Sequence, residues 1–323
     1  YGFIQKRQPR YLWAGIIHIM IFWGFVVLGL RSVELVSEGL GIPVLQPLMG
    51  TWFGRFYASL KDVFELIVFV ACGWALLRRA LIKPERYEGS HAFEAYLVLG
   101  LIAFLMITDM LYEGSSLLSI EAAGVWLPGS QLAASILSVF APGALPAIHS
   151  LNYWLHLLAF FFFLNYLPLG KHFHIITALP NVFLRKRMKG SLKPARWGVE
   201  NIEDLETLGV EKFEDFTWKH ILDFFSCTEC GRCSDMCPAN AVGRPLSPKM
   251  ITLKLRDHGY EKNPLFKHKK VEDKKREDIP IVGGIISADE IWSCTTCGAC
   301  EEECPVFIEY VDKIIDLRRH LIE

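Results

Sequence analysis

The stretch Cys227-Thr-Glu-Cys230-Gly-Arg-Cys233-Ser-Asp-Met-Cys237-Pro238 returns, spacing for spacing, as Cys294-Thr-Thr-Cys297-Gly-Ala-Cys300-Glu-Glu-Glu-Cys304-Pro305. Each run has the C-x2-C-x2-C-x3-C-P pattern that holds a [4Fe–4S] cluster. Three thiolates two residues apart share one tight loop and take three irons, while the fourth comes from a distant segment. In two-cluster proteins the fourth cysteine of each run serves the other cluster. The expected sets are therefore Cys227, Cys230, Cys233 and Cys304 for one cluster, and Cys294, Cys297, Cys300 and Cys237 for the other. Gly231 and Gly298 sit where backbone must approach sulfide closely, and Pro238 and Pro305 end the loops. A zinc site would use two pairs of ligands rather than a doubled run. A disulfide framework belongs to small secreted chains without long apolar spans.

Outward from these runs, the chain divides by composition. Hydrophobic residues make up 52% of the 323 residues and aromatics 13%, which suits a membrane protein carrying a soluble appendage. A net charge of −1 gives no basis for a nucleic-acid partner. Eight of nine cysteines lie in the two runs; the ninth, Cys72, falls in an apolar span and reads as a small core residue. The first residue is Tyr1, which implies a processed N-terminus or a fragment, and no signal peptide is visible.

Four apolar segments are expected to span a membrane: about 11–30, 60–81, 92–112 and 149–175. Each approaches the ~20 residues that a spanning helix needs. Residues 31–57 read as a loop, and 113–148 as a linker with one short amphipathic helix near 130–140 lying on the surface. Lys and Arg gather before the first span, after the second (Arg78, Arg79, Lys83, Arg86) and after the fourth (Lys171, Arg185, Lys186, Arg187). The positive-inside rule then places the N-terminal segment and everything after the fourth span in the cytoplasm, the reducing compartment the clusters require. Beyond residue 185 the chain turns polar. A connector over 190–225 precedes the first run, a helix is expected over 246–256, a solvated charged insert over 261–278, and a last helix over 308–321.

Histidine inside a span is costly and usually functional. His156 and His174 are eighteen residues apart, which is five turns, or roughly 27 Å along one continuous helix kinked at Pro168. They would share a face, one imidazole inner and one outer, as axial ligands of haem b do. His18, about seven residues into the first span, matches the depth of His174, with His172 as competitor. The expected inner haem b pair is His18 and His174. His156 has no partner opposite, since Leu28 occupies that place; it either binds a second haem, donates to a quinone carbonyl, or is structural. His91 reads as interfacial, and His220, His258, His268 and His320 as surface residues.

These residues carry a resemblance. Ile17-His18-Ile19, Leu155-His156 and Phe173-His174 resemble the cytochrome b (gamma) subunit of respiratory nitrate reductase. The cysteine runs, with Gly-Arg-Pro-Leu-Ser-Pro-Lys after the first, are similar to the iron–sulfur region of heterodisulfide reductase. Together the halves resemble membrane-bound Fe–S oxidoreductases that pair with electron-transfer flavoprotein and reduce menaquinone. That family usually has a further helix before the first span and cysteine-rich CCG domains beyond the second run. The resemblance implies a mainly α fold: a transmembrane four-helix cytochrome b domain over 1–185 fused to a cytoplasmic two-[4Fe–4S] ferredoxin-like domain over 186–323. It implies two [4Fe–4S] clusters, one or two haems b and menaquinone as substrate, in a multi-pass protein of the cytoplasmic membrane. The expected role is electron transfer between a soluble flavoprotein, or another redox subunit, and membrane quinone. The alternatives are a heterodisulfide-reductase-like subunit and a non-catalytic anchor for a soluble dehydrogenase.

Overall fold

The computed structural model describes residues 2–42, 46–119, 125–188, 190–194, 201, 203, 208–262 and 279–322. Among them the chain is helical and forms no extended strand. It divides into two compact units: residues 8–83 with 91–167, and residues 1–7, 84–90 and 168–323. Compactness thus divides the chain near residue 167, and two short pieces, the N-terminal 1–7 and the internal 84–90, belong with the cysteine-bearing unit.

The first unit holds α1 (Leu12–Gly39), α2 (Trp52–Leu81), α3 (Ala92–Ser119), α4 (Pro128–Leu137) and α5 (Leu145–Tyr166). Three stretches are long and apolar enough to cross a membrane: Leu12–Gly39, Ala92–Leu118 and Pro142–Leu169. Only 11% of the α1 window is buried, and Trp13, Trp23, Phe25, Val26 and Val33 point outward. Such apolar exposure is what contact with lipid requires. The helix α2 is as long, but Lys61, Asp62 and Glu65 interrupt its apolar run and it falls outside that set. Its end carries Arg78 and Arg79, cations that suit a helix C-terminus. The core gathers Val68, Cys72, Leu105, Met106, Met110 and Ala133, with Cys72 buried as expected.

Three boundaries differ from the sequence reading. The segment 31–57 is not a continuous loop: α1 runs on to Gly39 and α2 begins at Trp52, because the polar residues that suggest a loop, Arg31 among them, are buried and paired inside the bundle. The short helix near 130–140 exists as α4, but it packs on α2 and α3. Asp62 accepts the backbone N–H of Gly129 at 2.6 Å and of Ser130 at 2.9 Å, so a carboxylate from α2 holds the positive end of α4. The span near 149–175 is broken. After Tyr166 the chain passes through two single 3-10 turns separated by Gly170 in extended conformation (φ −161°, ψ −157°). Pro168 has no N–H to give. A five-turn separation on one face of a single helix therefore does not describe His156 and His174.

The second unit contains α6 (His174–Phe183), α7 (Trp218–Ser226), α8 (Pro248–Lys262) and α9 (Tyr310–Ile322). These extend the expected 246–256 helix by two turns and match the expected last helix. Phe213, Phe216, Phe224, Leu255, Ile291 and Leu317 form its apolar core. Asp223 on α7 ties this unit together. It accepts from Lys219 at 2.6 Å, from Lys313 on α9 at 2.5 Å and from the Glu309 N–H at 3.1 Å. Burial opposes its charge, but Lys313 and Lys219 hold it well below the usual carboxylate range. The charged insert falls almost wholly outside the described residues.

Candidate metal centre

Each cysteine run folds into the same backbone signature. The second residue after the first cysteine is left-handed in both, Glu229 (φ 56°) and Thr296 (φ 53°), and so is the glycine after the second cysteine, Gly231 (φ 75°) and Gly298 (φ 74°). Two left-handed residues around each second cysteine curl the loop, and a one-turn helix follows, Arg232–Asp235 or Ala299–Glu303. A Cβ on Gly231 would stand 2.3 Å from the carbonyl oxygen of Arg86, whereas one on Gly298 would meet open space. The first loop is thus pressed against residues 84–90, where Lys249 Nζ also donates to the carbonyls of Arg86 (2.9 Å) and Glu88.

Cys227, Cys230, Cys233 and Cys304 line one cavity, with Lys249, Ile308 and Tyr310. The fourth cysteine of the second run stands with the first three of the first run. Reciprocally, Cys237 is the electrostatic neighbour of Cys294 and Cys300, and Cys294 packs on the core that contains Cys237. The structure brings the eight cysteines together as two crossed sets of four. None is disulfide-bonded. Among the described residues no three His, Cys, Asp or Glu are placed to hold a single metal ion, so the first set surrounds a volume rather than converging on a point. Donors already aim at the sulfurs: Tyr310 Oη to Cys233 Sγ at 3.2 Å, Ile308 N to Cys304 Sγ at 3.4 Å and Thr296 N to Cys294 Sγ at 3.3 Å. Burial pushes the Cys227 and Cys304 thiols up to about 12. A pocket that resists bare thiolates yet presents N–H and O–H donors to their sulfurs fits a cationic iron core, which supplies the missing charge.

The two sets differ in exposure. Cys227, Cys233 and Cys304 are buried and Cys230 half-buried, while in the other set Cys237 is buried, Cys294 and Cys300 are half-buried and Cys297 is exposed. The segment between Cys304 and α9 is pinned from several sides. Arg7 donates to the carbonyls of Glu301 and Cys304 at 2.8 Å each and lies over the Phe307 ring. Asn181 donates to the Val306 carbonyl at 2.9 Å and accepts from Lys219 at 2.8 Å.

Residues 226–308 match the 4Fe-4S dicluster domain. The chain is 34% identical over 99% of its length to a probable iron–sulfur-binding oxidoreductase, FadF, of Bacillus subtilis, covering 48% of that protein. It is 30% identical over its whole length to the EtfAB:quinone oxidoreductase of Syntrophomonas wolfei, again covering 48%. An iron–sulfur subunit of the CoB–CoM heterodisulfide reductase of Methanopyrus kandleri is 29% identical over 35% of this chain and 45% of its own length. The chain spans about half the length of the first two of these curated relatives. No solved structure matches it.

The histidines divide between the units. His18 is half-buried on α1 and His156 is buried on α5, both in the first unit; His174 starts α6 in the second, its ring 5.9 Å from that of His172. His156 Nδ1 lies 3.1 Å from Thr108 Oγ1. That hydroxyl already reaches the carbonyls of Phe104 and Leu105, each at 3.0 Å. With the hydroxyl proton given to a carbonyl, Thr108 accepts from Nδ1–H and the Nε2 lone pair is left free; with it given to Nδ1, Nε2 carries the proton. His91 is exposed. His220, expected at the surface, is fully buried, His258 and His320 are half-buried, and His268 lies outside the described residues.

The sequence reading missed the charges within the bundle. Arg31, Lys61, Glu65 and Asp109 are all buried in the first unit. Their signal was available, since each interrupts or extends an apolar helix, where an ionisable residue marks function.

Proposed function

We propose that this chain is the electron-transferring part of a membrane-bound iron–sulfur oxidoreductase that links a soluble flavoprotein to membrane quinone. The observation that carries it is the pair of crossed cysteine sets, one with three of its four thiols buried and one reaching the surface at Cys297. A relay needs one centre open to a soluble partner and one enclosed. The relative named EtfAB:quinone oxidoreductase supports both ends of the route.

When bound, two [4Fe–4S] clusters and haem b supply one-electron steps, and quinone takes two electrons with two protons. Cys237, Cys294, Cys297 and Cys300 would hold the outer cluster, and Cys227, Cys230, Cys233 and Cys304 the inner one. Tyr310, Ile308 and Lys249 set the electrostatics around the inner set. His156, in contact with Thr108, would hold a haem in this reading. The helix α2 is a fourth span whose charges are shielded by the bundle, and the cysteine unit faces the cytoplasm.

The test is anaerobic mixing of the purified, lipid-reconstituted protein with reduced electron-transfer flavoprotein and a menaquinone analogue. Iron close to eight per chain, a reduced haem b spectrum and its reoxidation by the quinone are expected. A protein that binds the flavoprotein but shows no haem reducible by it would be a passive anchor.

A further inference from the structure

Three helices of the first unit bury charge in the middle of apolar spans. Arg31 on α1 reaches Asp109 on α3 from Nε at 3.2 Å and Nη2 at 3.0 Å. It also donates to Glu34 at 2.8 Å and Glu113 at 2.6 Å. Lys61 on α2 lies 3.1 Å from Glu65, 3.5 Å from Asp109 and 3.6 Å from Glu113. His156 on α5 lies within electrostatic reach of Asp109, and Tyr57 lies one turn from Lys61 on α2. The neighbouring carboxylate Asp62 is spent on the α4 N-terminus.

Two cations therefore face four carboxyl groups. Asp109 receives several donors from Arg31, and Glu113 and Glu34 receive one each. Glu65 is different. It is 0% exposed, and neither of its oxygens completes a hydrogen bond to a donor. Its nearest cation, Lys61 Nζ at 3.1 Å, is shared with the Asp109 carboxylate at 3.5 Å, so the two carboxyl groups meet around one ammonium. Two carboxyl groups meeting in an interior are held together by a shared proton and repel without it. Four ionised carboxylates against two cations would also leave net negative charge around the buried Glu65, which its interior position disfavours.

We propose that Glu65 is the proton-carrying carboxyl of the membrane domain, exchanging through Asp109 and Glu113 and serving quinone reduction on the same bundle. This rests on the quinone reading above. The side chains of Glu113 and Glu34 are 24% and 20% exposed, so the network runs from the bundle surface to a sealed inner end. Each quinone reduced takes two electrons from the reduced flavoprotein and two protons. Glu65 releases a proton as each quinone O–H bond forms and regains one from the Glu113 side.

The experiment uses the full chain in lipid nanodiscs, as wild type, E65Q and E65D, all checked for intact cluster and haem spectra. A pH-induced infrared difference spectrum, which needs no quinone, should show a protonated-carboxyl band that is absent in E65Q and displaced in E65D. Menaquinone-analogue reduction should fall roughly a hundredfold in E65Q and stay near wild type in E65D. If E65Q does not fold, the displaced band in E65D decides. A band unchanged in either variant, or unchanged turnover and pH profile in E65Q, overturns the proposal. Wild-type protein that shows the Glu65 band but reduces no quinone would refute the quinone reading and leave the proton assignment standing.

Discussion

The Tyr310 hydroxyl donates to the sulfur of Cys233 across 3.2 Å, and both residues are buried. Tyr310 is the first residue of α9, and the preceding N–H, that of Glu309, is anchored on Asp223. The phenol is thus delivered to the inner cysteine set by the helix that carries it. A hydrogen bond to cluster sulfur strengthens as the cluster gains negative charge, so it favours the reduced form. Tyr310→Phe should lower the midpoint potential of the inner cluster by tens of millivolts, the size of a charge-assisted bond differing by about 1 kcal/mol between redox states. A redox titration followed by EPR should show the outer cluster unmoved. An inner cluster that keeps its potential would remove Tyr310 from the tuning shell.

The crossed sets predict an exchange of phenotypes. Cys237→Ser should damage the cluster held by the second run and spare that of the first, and Cys304→Ser should do the reverse. Anaerobic EPR of the two variants checks this. Loss of the first-run signal in Cys237→Ser would mean that each run closes on itself.

Gly231 and Gly298 share a left-handed backbone but not their surroundings. Alanine at either position costs roughly 1–2 kcal/mol for the conformation alone. At Gly231 the methyl group also strikes a backbone carbonyl, which no side-chain rotation relieves. Gly231→Ala should lose iron and thermal stability, while Gly298→Ala should retain its iron with a modest loss of stability. Equal behaviour of the two would show that the contact with Arg86 does not persist in solution.

His220 is sealed against Phe216, with its Nδ1 3.9 Å from Asp316. Burial, then Lys313 and Lys193, push its imidazole from 6.5 down to about 2, against the opposite pull of Asp223. The folded state keeps this histidine neutral, while the unfolded chain takes up a proton below pH 6.5. Its neutrality costs nothing above that pH, and stability falls as pH drops from 6.5 toward 2. At pH 5 the loss is at most about 2 kcal/mol. Thermal unfolding of wild type and His220→Leu at pH 7.5 and pH 5 should show a smaller acid-induced decrease in the variant. Parallel decreases would exclude His220 as the source.

The cysteine loops were legible because ligand spacing is local: three thiols in one turn dictate the curl that Glu229, Gly231, Thr296 and Gly298 then adopt. The apolar spans were legible because hydrophobic length is local too. What escaped depends on partners distant in sequence. Arg31 reads as the end of a span until Asp109 and Glu113 are brought beside it. His220 reads as a surface residue until Phe216 closes over it. The break after Tyr166 combines a proline and a glycine, each tolerated singly in a membrane helix, and only their joint placement ends it. The contact of His156 with Thr108 also joins residues distant in sequence and was invisible from spacing.

Because each run supplies the fourth thiol for the other's set, the two loops are interlocked like links of a chain. Cutting the polypeptide near residue 290 would take three thiols from one centre and the last from its twin, so neither survives alone. The smallest excisable redox module here is the pair, and any engineered one-cluster version needs a replacement thiol, not merely a deletion.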